Sequence, residues 1–289
     1  MQSKPLEGTR IVSLALNLPG PATLMRCLHM GANCTKFEPP TGDPMQHYNA
    51  DAYTALHQGI SIATGDLKTA AGQALLHKHL SKADVLLTSF RPSALHKLGL
   101  DFKALHKQFP QLCQVAIVGS AGDRAEEPGH DLTYLAEHGL VTGLDLPPTL
   151  YADMGGSLMA SEAVLSVLIQ RAKKGKGVFA EVALSDAAAY LALPRAWGLT
   201  LPGSAVGGGH AGYQIYACSD GRVAVAALEP HFAARLCAAA RLTSTSSKNM
   251  LDSSTRQQLG EFFRNQSCAD LASLASRHDI PLHTLEDCI

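Results

Sequence analysis

The 289-residue sequence has no surplus of charge of either sign: 24 Lys and Arg stand against 25 Asp and Glu, for a net charge of −1. Without a basic surplus there is no electrostatic footprint for the phosphate backbone of nucleic acid. No uninterrupted apolar run approaches the length of a bilayer span, and Met1-Gln2-Ser3-Lys4-Pro5 does not read as a signal peptide. A soluble, cytoplasmic protein with no membrane partner is therefore expected. The seven cysteines, at positions 27, 34, 113, 218, 237, 268 and 288, contain no Cys-x-x-Cys pair. Thiols scattered in this way predict neither a disulfide framework nor a zinc site. The 13 histidines include no His-Glu-x-x-His. His77 and His79, two apart in a helical stretch, do not share a face, so no metal is expected.

Three familiar signatures are missing as well. Leu18-Pro19-Gly20-Pro21 follows the first predicted strand, where a dinucleotide fold needs Gly-x-Gly-x-x-Gly. No Gly-x4-Gly-Lys-Ser/Thr occurs, and Ser120 in Gly119-Ser120-Ala121-Gly122 is one residue out of register with a nucleophile elbow. NAD binding, P-loop chemistry and serine hydrolysis are excluded.

What is present is an alternation of strand and helix. Arg10–Leu16, Cys34–Glu38, Asp84–Thr88, Val115–Val118 and Phe179–Ala183 read as strands, with helical stretches between them. Apolar strands without alternation argue for a parallel sheet covered by helices on both faces, a Rossmann-like α/β fold. A long apolar helix is predicted from Met154 to Ala172, its end marked by Arg171, Lys173, Lys174 and Lys176 with Gly175 and Gly177. Residues 194–212 read as a linker. Ser219-Asp220-Gly221 then signals a hairpin between Tyr213–Cys218 and Val223–Ala227, and helical segments finish the chain. The predicted domains are 1–204, the Rossmann-like part, and 205–289, a smaller α+β part that completes the active site.

Three segments carry most of the chemistry: Pro128-Gly129-His130-Asp131, Ala152-Asp153-Met154-Gly155-Gly156 and Ala227-Leu228-Glu229-Pro230. They supply an imidazole, a carboxylate and a second carboxylate able to orient the imidazole. That set can move a proton on and off carbon. Each residue also has a plain structural role open to it. Asp153 suits an N-cap, Glu229 before Pro230 a first-turn carboxylate, and His130 a helix start.

These segments belong to a longer ordered series. It includes Pro5-Leu6-Glu7-Gly8-Thr9-Arg10-Ile11-Val12, Pro19-Gly20-Pro21, Lys36-Phe37-Glu38-Pro39-Pro40, Gly42-Asp43-Pro44 and Asp66-Leu67-Lys68. It continues through Phe90-Arg91-Pro92, Leu98-Gly99-Leu100, Gly175-Lys176-Gly177 and Leu228-Glu229-Pro230-His231-Phe232. In this order the chain resembles the family III CoA-transferase superfamily (CaiB/BaiF type), most closely its α-methylacyl-CoA racemase branch. The resemblance covers most of residues 5 to 235.

The resemblance implies that His130 and Asp153 are the two acid–base residues and that Glu229 pairs with His130. It implies that Arg91, and more weakly Lys36, bind CoA phosphate. It also implies an interlocked homodimer, an acyl-CoA substrate, and no cofactor beyond the CoA moiety of that substrate. Inversion at an α-carbon needs a group on each face. His130 would accept from one side while protonated Asp153 donates from the other, with backbone N–H groups ahead of the Gly155-Gly156 helix start near the thioester oxygen.

The sequence departs from the family pattern in two main places. The usual Asn-Arg-Gly-Lys-Arg reads His57-Gln58-Gly59-Ile60-Ser61, without its cations. The chain also ends at Ile289, soon after Ile280-Pro281-Leu282, where family members continue; a less interlocked dimer or a more open pocket is expected. Two other readings stand beside the racemase: a family III CoA-transferase with Asp153 as nucleophile, and a non-catalytic paralogue.

Overall fold

A computed structural model describes residues 4–242 and 249–286; Cys288 lies outside them. The chain forms two compact units, Met1–Ala192 and Leu193–Ile289.

In the first unit, six strands make one wholly parallel sheet: β1 (Arg10–Ser13), β2 (Asn33–Glu38), β3 (Ser61–Thr64), β4 (Val85–Thr88), β5 (Cys113–Val118) and β6 (Phe179–Ala183). Their order is β3-β2-β1-β4-β5-β6. The central strands β4 and β5 are buried at every position, which is why they read as unbroken apolar runs. β3, at the edge, is short and largely exposed. Ser61-Ile62-Ala63-Thr64 carries no extended apolar run, and this strand is absent from those expected.

The helices of this unit are α1 (Pro19–His29), α2 (Pro44–Tyr48), α3 (Ala50–His57), α4 (Ala70–Leu80), α5 (Pro92–Lys97), α6 (Phe102–Gln108), α7 (Asp131–Glu137), α8 (Tyr151–Lys174) and α9 (Leu184–Leu191). Alternate strand residues serve two separate cores. Ile11, Val85, Leu87, Val115 and Ile117 pack with Leu24 of α1 and Ala160, Val164 and Val167 of α8. Val12, Leu14 and Leu86 pack with Leu76 and Leu80 of α4, Leu95 of α5 and Leu105 of α6. The sheet is thus covered on both faces, the Rossmann-like arrangement expected.

Helix α8 begins at Tyr151, three residues before the expected start at Met154. Its buried positions Ala152, Gly156, Ala160, Val164 and Val167 follow the helical repeat. By length and composition alone this 24-residue helix could cross a membrane, its most apolar window having a mean hydropathy of 1.3. Asp153 and Glu162 interrupt the apolar run in sequence, and in the fold α8 is the core helix against β5 and α1.

In the second unit, β7 (Tyr213–Cys218), β8 (Gly221–Ala226) and β9 (Leu282–Glu286) form an antiparallel sheet in that order. Cys218 pairs with Gly221, so Ser219 and Asp220 are the two-residue hairpin loop anticipated from sequence. The helices here are α10 (Leu193–Ala196), α11 (Pro230–Ala239), α12 (Ser253–Arg264) and α13 (Cys268–His278). Val223, Val225, Leu236, Leu259, Phe263 and Leu271 form the core. The expectation that helices finish the chain is corrected: after α13, β9 adds to the free side of β8.

Candidate active site

The strand order reverses between β1 and β4, and the segments leaving their carboxyl ends diverge there. An open α/β sheet forms its binding crevice at such a point. A cavity of about 860 Å³ lies here, lined by Asn17 and Pro19 after β1, Arg91 after β4 and Gly119 after β5. His130, Asp131 and Asp153 line the same cavity.

His130 is delivered by the turn into α7. Its backbone is extended, with φ −143° and ψ 169°. Thr133 Oγ1 accepts from the His130 N–H at 3.0 Å and donates to the His130 carbonyl at 2.7 Å. This local box holds the backbone and leaves the imidazole exposed at the start of α7. Gly129 has a packing role in the same turn: a Cβ there would lie 2.6 Å from the Tyr134 ring.

Asp153 stands in the first turn of α8, not at its cap. The cap residue, Leu150, makes no side-chain hydrogen bond. Asp131 does the capping from outside the helix, its Oδ1 accepting from the Ala152 N–H at 2.7 Å and the Asp153 N–H at 3.0 Å. The Met154 N–H donates to the Leu150 carbonyl. The expected supply of first-turn N–H groups to a thioester oxygen is therefore corrected: those of Ala152, Asp153 and Met154 are already engaged. Gly155 and Gly156 lie within the helix. A Cβ on Gly156 would come within 2.3 Å of Leu184 Cδ2, so that glycine permits close packing of α8 on α9.

The Asp153 carboxyl itself makes no hydrogen bond among the described residues. Burial raises its pKa, the Asp131 carboxylate raises it further, and His130 lowers it in part; the result is about 6 against an ordinary 3.8. A carboxyl in this range holds or releases a proton near neutral pH.

The remaining expected residues fall in different places. Arg91 caps α5 without a side-chain bond, is exposed, and lines the cavity. Glu229 is exposed in the second unit, at the cap position of α11, where its carboxylate makes no capping bond. Lys36 is fully buried, which corrects its assignment to CoA phosphate. Its ammonium donates to Asp43, to Glu38 at 3.1 Å and to His57 Nε2 at 2.9 Å, with the Tyr53 ring centroid 5.3 Å away. All its charge is answered inside the protein.

In that cluster His57 Nδ1 lies 2.6 Å from the Tyr53 carbonyl, which assigns the proton to Nδ1 and leaves Nε2 to accept from Lys36. Burial lowers the His57 pKa, and the neighbouring ammonium lowers it too. Asp43 also accepts from the backbone N–H groups of Asn17 and Met45, both of which line the cavity. The cluster braces the cavity wall from behind. Glu38, Asp43 and His57 bring metal-ligand atoms within 4.8 Å of one another, as do Cys218, Asp220 and Cys268. Neither group has a metal-binding spacing in the sequence. The six described cysteines are free and buried.

A parallel sheet with a His–Asp cavity at the β1/β4 reversal agrees with the match of the CoA-transferase family III model to residues 6–288. The chain belongs to CoA-transferase family III. It is 29% identical to human α-methylacyl-CoA racemase over 245 residues, 78% of this chain and 62% of the relative. It is 28% identical to a probable fatty acyl-CoA transferase of Mycobacterium tuberculosis, over 65% of this chain and 52% of that protein. With succinyl-CoA–D-citramalate CoA-transferase of Chloroflexus aurantiacus it shares 30% identity over 63% of this chain and 50% of that one. The chain thus spans only 50–62% of the length of these curated relatives. A CaiB/BaiF family protein from Brucella suis has a similar structure, with a TM-score of 0.81 and 25% identity over 98% of this chain and 84% of its own.

Proposed function

We propose that this chain is an acyl-CoA racemase or epimerase, inverting the α-carbon of a 2-methylacyl-CoA thioester through an enolate. The observation that carries the reading is the meeting, in one cavity, of an exposed imidazole and a largely buried carboxyl with no hydrogen bond among the described residues, whose pKa burial raises to about 6. Neutral His130 takes the α-proton, and the C–H electron pair moves into the enolate. Protonated Asp153 delivers a proton to the opposite face and is left as carboxylate. The reverse reaction exchanges the two roles. Positioned proton transfer of this kind contributes about 10²–10⁴-fold in rate.

Tyr48, Leu132 and Leu150 line the cavity and are 65%, 42% and 46% exposed, which favours an apolar acyl group. Arg91 is the cavity's cation for a CoA phosphate, and Glu229 is proposed to orient His130. An interlocked, cytoplasmic homodimer forms part of the same proposal.

A second reading, a CoA-transferase, is favoured by the several relatives so named at similar identity. Here the Asp153 carboxylate attacks the thioester carbonyl, the CoA thiolate leaves, and a mixed anhydride forms. Incubation in D2O with a panel of 2-methylacyl-CoA esters separates the two. The racemase reading expects α-deuteration that is strongly slowed in His130→Ala and Asp153→Ala. CoA transfer between carboxylates without α-deuteration, with an acyl adduct trapped at Asp153, would replace it with the second reading.

A further inference from the structure

Asp131 stands between two functional groups and belongs to neither. It is the first residue of α7, directly after His130, and only 5% exposed. Its Oδ1 reaches across to α8, taking the N–H groups of Ala152 and Asp153 at 2.7 and 3.0 Å. A neutral cap such as serine or asparagine satisfies helix-start N–H groups as well as a carboxylate does. A carboxylate additionally leaves a negative charge, here beside the one cavity carboxyl that has no hydrogen bond of its own.

We propose that Asp131 is a positioning residue for Asp153, fixing the first turn of α8 through two backbone hydrogen bonds and holding a like charge against the Asp153 carboxyl. The inference rests on the reading of Asp153 as proton donor. A like charge at short range disfavours ionisation, so the proton stays on Asp153 until the enolate takes it. Burial acts in the same direction on Asp153, and His130 acts against it. The other ionisable groups around the site are Tyr48 of α2 and Tyr134 of α7, whose pKa values Asp153 helps to raise. Arg91 and Glu127 complete the lining. Of these, Asp131 alone is tied to the Asp153 backbone, so its charge moves with the group it influences.

Two variants separate the roles. Asp131→Asn keeps an acceptor oxygen for both N–H groups and removes the charge; Asp131→Ala removes both. The readout is a carbon-13 carboxyl NMR titration of Asp153 in the full chain, with its signal assigned by loss in Asp153→Asn. The natural chain should titrate at about 6. Both Asp131 variants should titrate about one unit lower, a roughly tenfold weaker hold on the proton. Only Asp131→Ala should also lower the melting temperature. In α-proton exchange, the alkaline limb of kcat, where the Asp153 proton is lost, should move to lower pH by the same amount in Asp131→Asn with KM unchanged.

An unchanged Asp153 midpoint in Asp131→Asn overturns the charge role, and equal loss of stability in both variants overturns the positioning role. A shifted midpoint in a chain that exchanges no α-proton supports the inference and sinks the racemase reading, so the two fail separately.

Discussion

Histidine meets carboxylates both in the cavity and behind its wall, and the two places behave as opposites. In the cavity, the Asp153 carboxyl has no hydrogen bond among the described residues, and the exposed His130 imidazole lines the same space. Behind the cavity wall, His57, Asp43 and Glu38 close around the Lys36 ammonium, which is fully buried. Similar residue types therefore line an open cavity in one place and form a brace in the other. The difference is satisfaction: a carboxyl that keeps its proton near neutrality must be desolvated without a cationic partner, whereas a structural carboxylate is matched to one. Residue type alone does not reveal which role a histidine or lysine takes.

The contrast is broken most directly by removing the groups on each side. His130→Ala and Asp153→Ala should lower the rate of α-proton exchange by about 10²–10⁴-fold, without lowering the melting temperature. Lys36→Met should do the reverse. It leaves Asp43 and Glu38 buried without their cation and should cost about 3–5 kcal/mol of stability, measured by urea unfolding.

Asp153 supplies a smaller test with a definite sign. Its pKa is raised from 3.8 to about 6 in the folded chain. It holds its proton more tightly folded than unfolded, so stability falls as pH rises through that window and the cost is fully present above it. Asp153→Asn should therefore unfold at higher urea than the natural chain at neutral pH, by ~2 kcal/mol, with the gap closing below the lower value. The smallest effect concerns Arg91. Arg91→Ala should weaken binding of a CoA ester about tenfold, roughly 1.5 kcal/mol for one charge-assisted contact, and leave stability unchanged. Calorimetric titration checks it.

Much of the fold was legible in the chain. Five of the six parallel strands were expected from the sequence, β4 and β5 being buried throughout, and Ser219-Asp220-Gly221 marks its hairpin by turn chemistry. β3 escaped because an exposed edge strand of four residues has no apolar run to betray it. β9 escaped because five half-exposed residues after Pro281 gain their identity only by pairing with β8. At the site, His130 and Asp153 were readable from ordered motifs. The capping role of Asp131 was not, since it acts on a helix 21 residues away in sequence. Lys36 was assigned to CoA phosphate by the resemblance; its burial was not legible because its three acceptors come together only when β2, α2 and α3 assemble.

The central claim is that two different groups serve the two faces of one carbon. The sharpest measurement follows each pure enantiomer of a 2-methylacyl-CoA ester in D2O at early times, in the natural chain and in His130→Ala. The account predicts that in the natural chain deuterium appears first in the inverted product and later in recovered substrate. In His130→Ala, inversion should be lost, with slow exchange surviving only for the enantiomer whose α-proton faces Asp153. Equal deuteration of substrate and product from the first time points, or full inversion by His130→Ala, would contradict it.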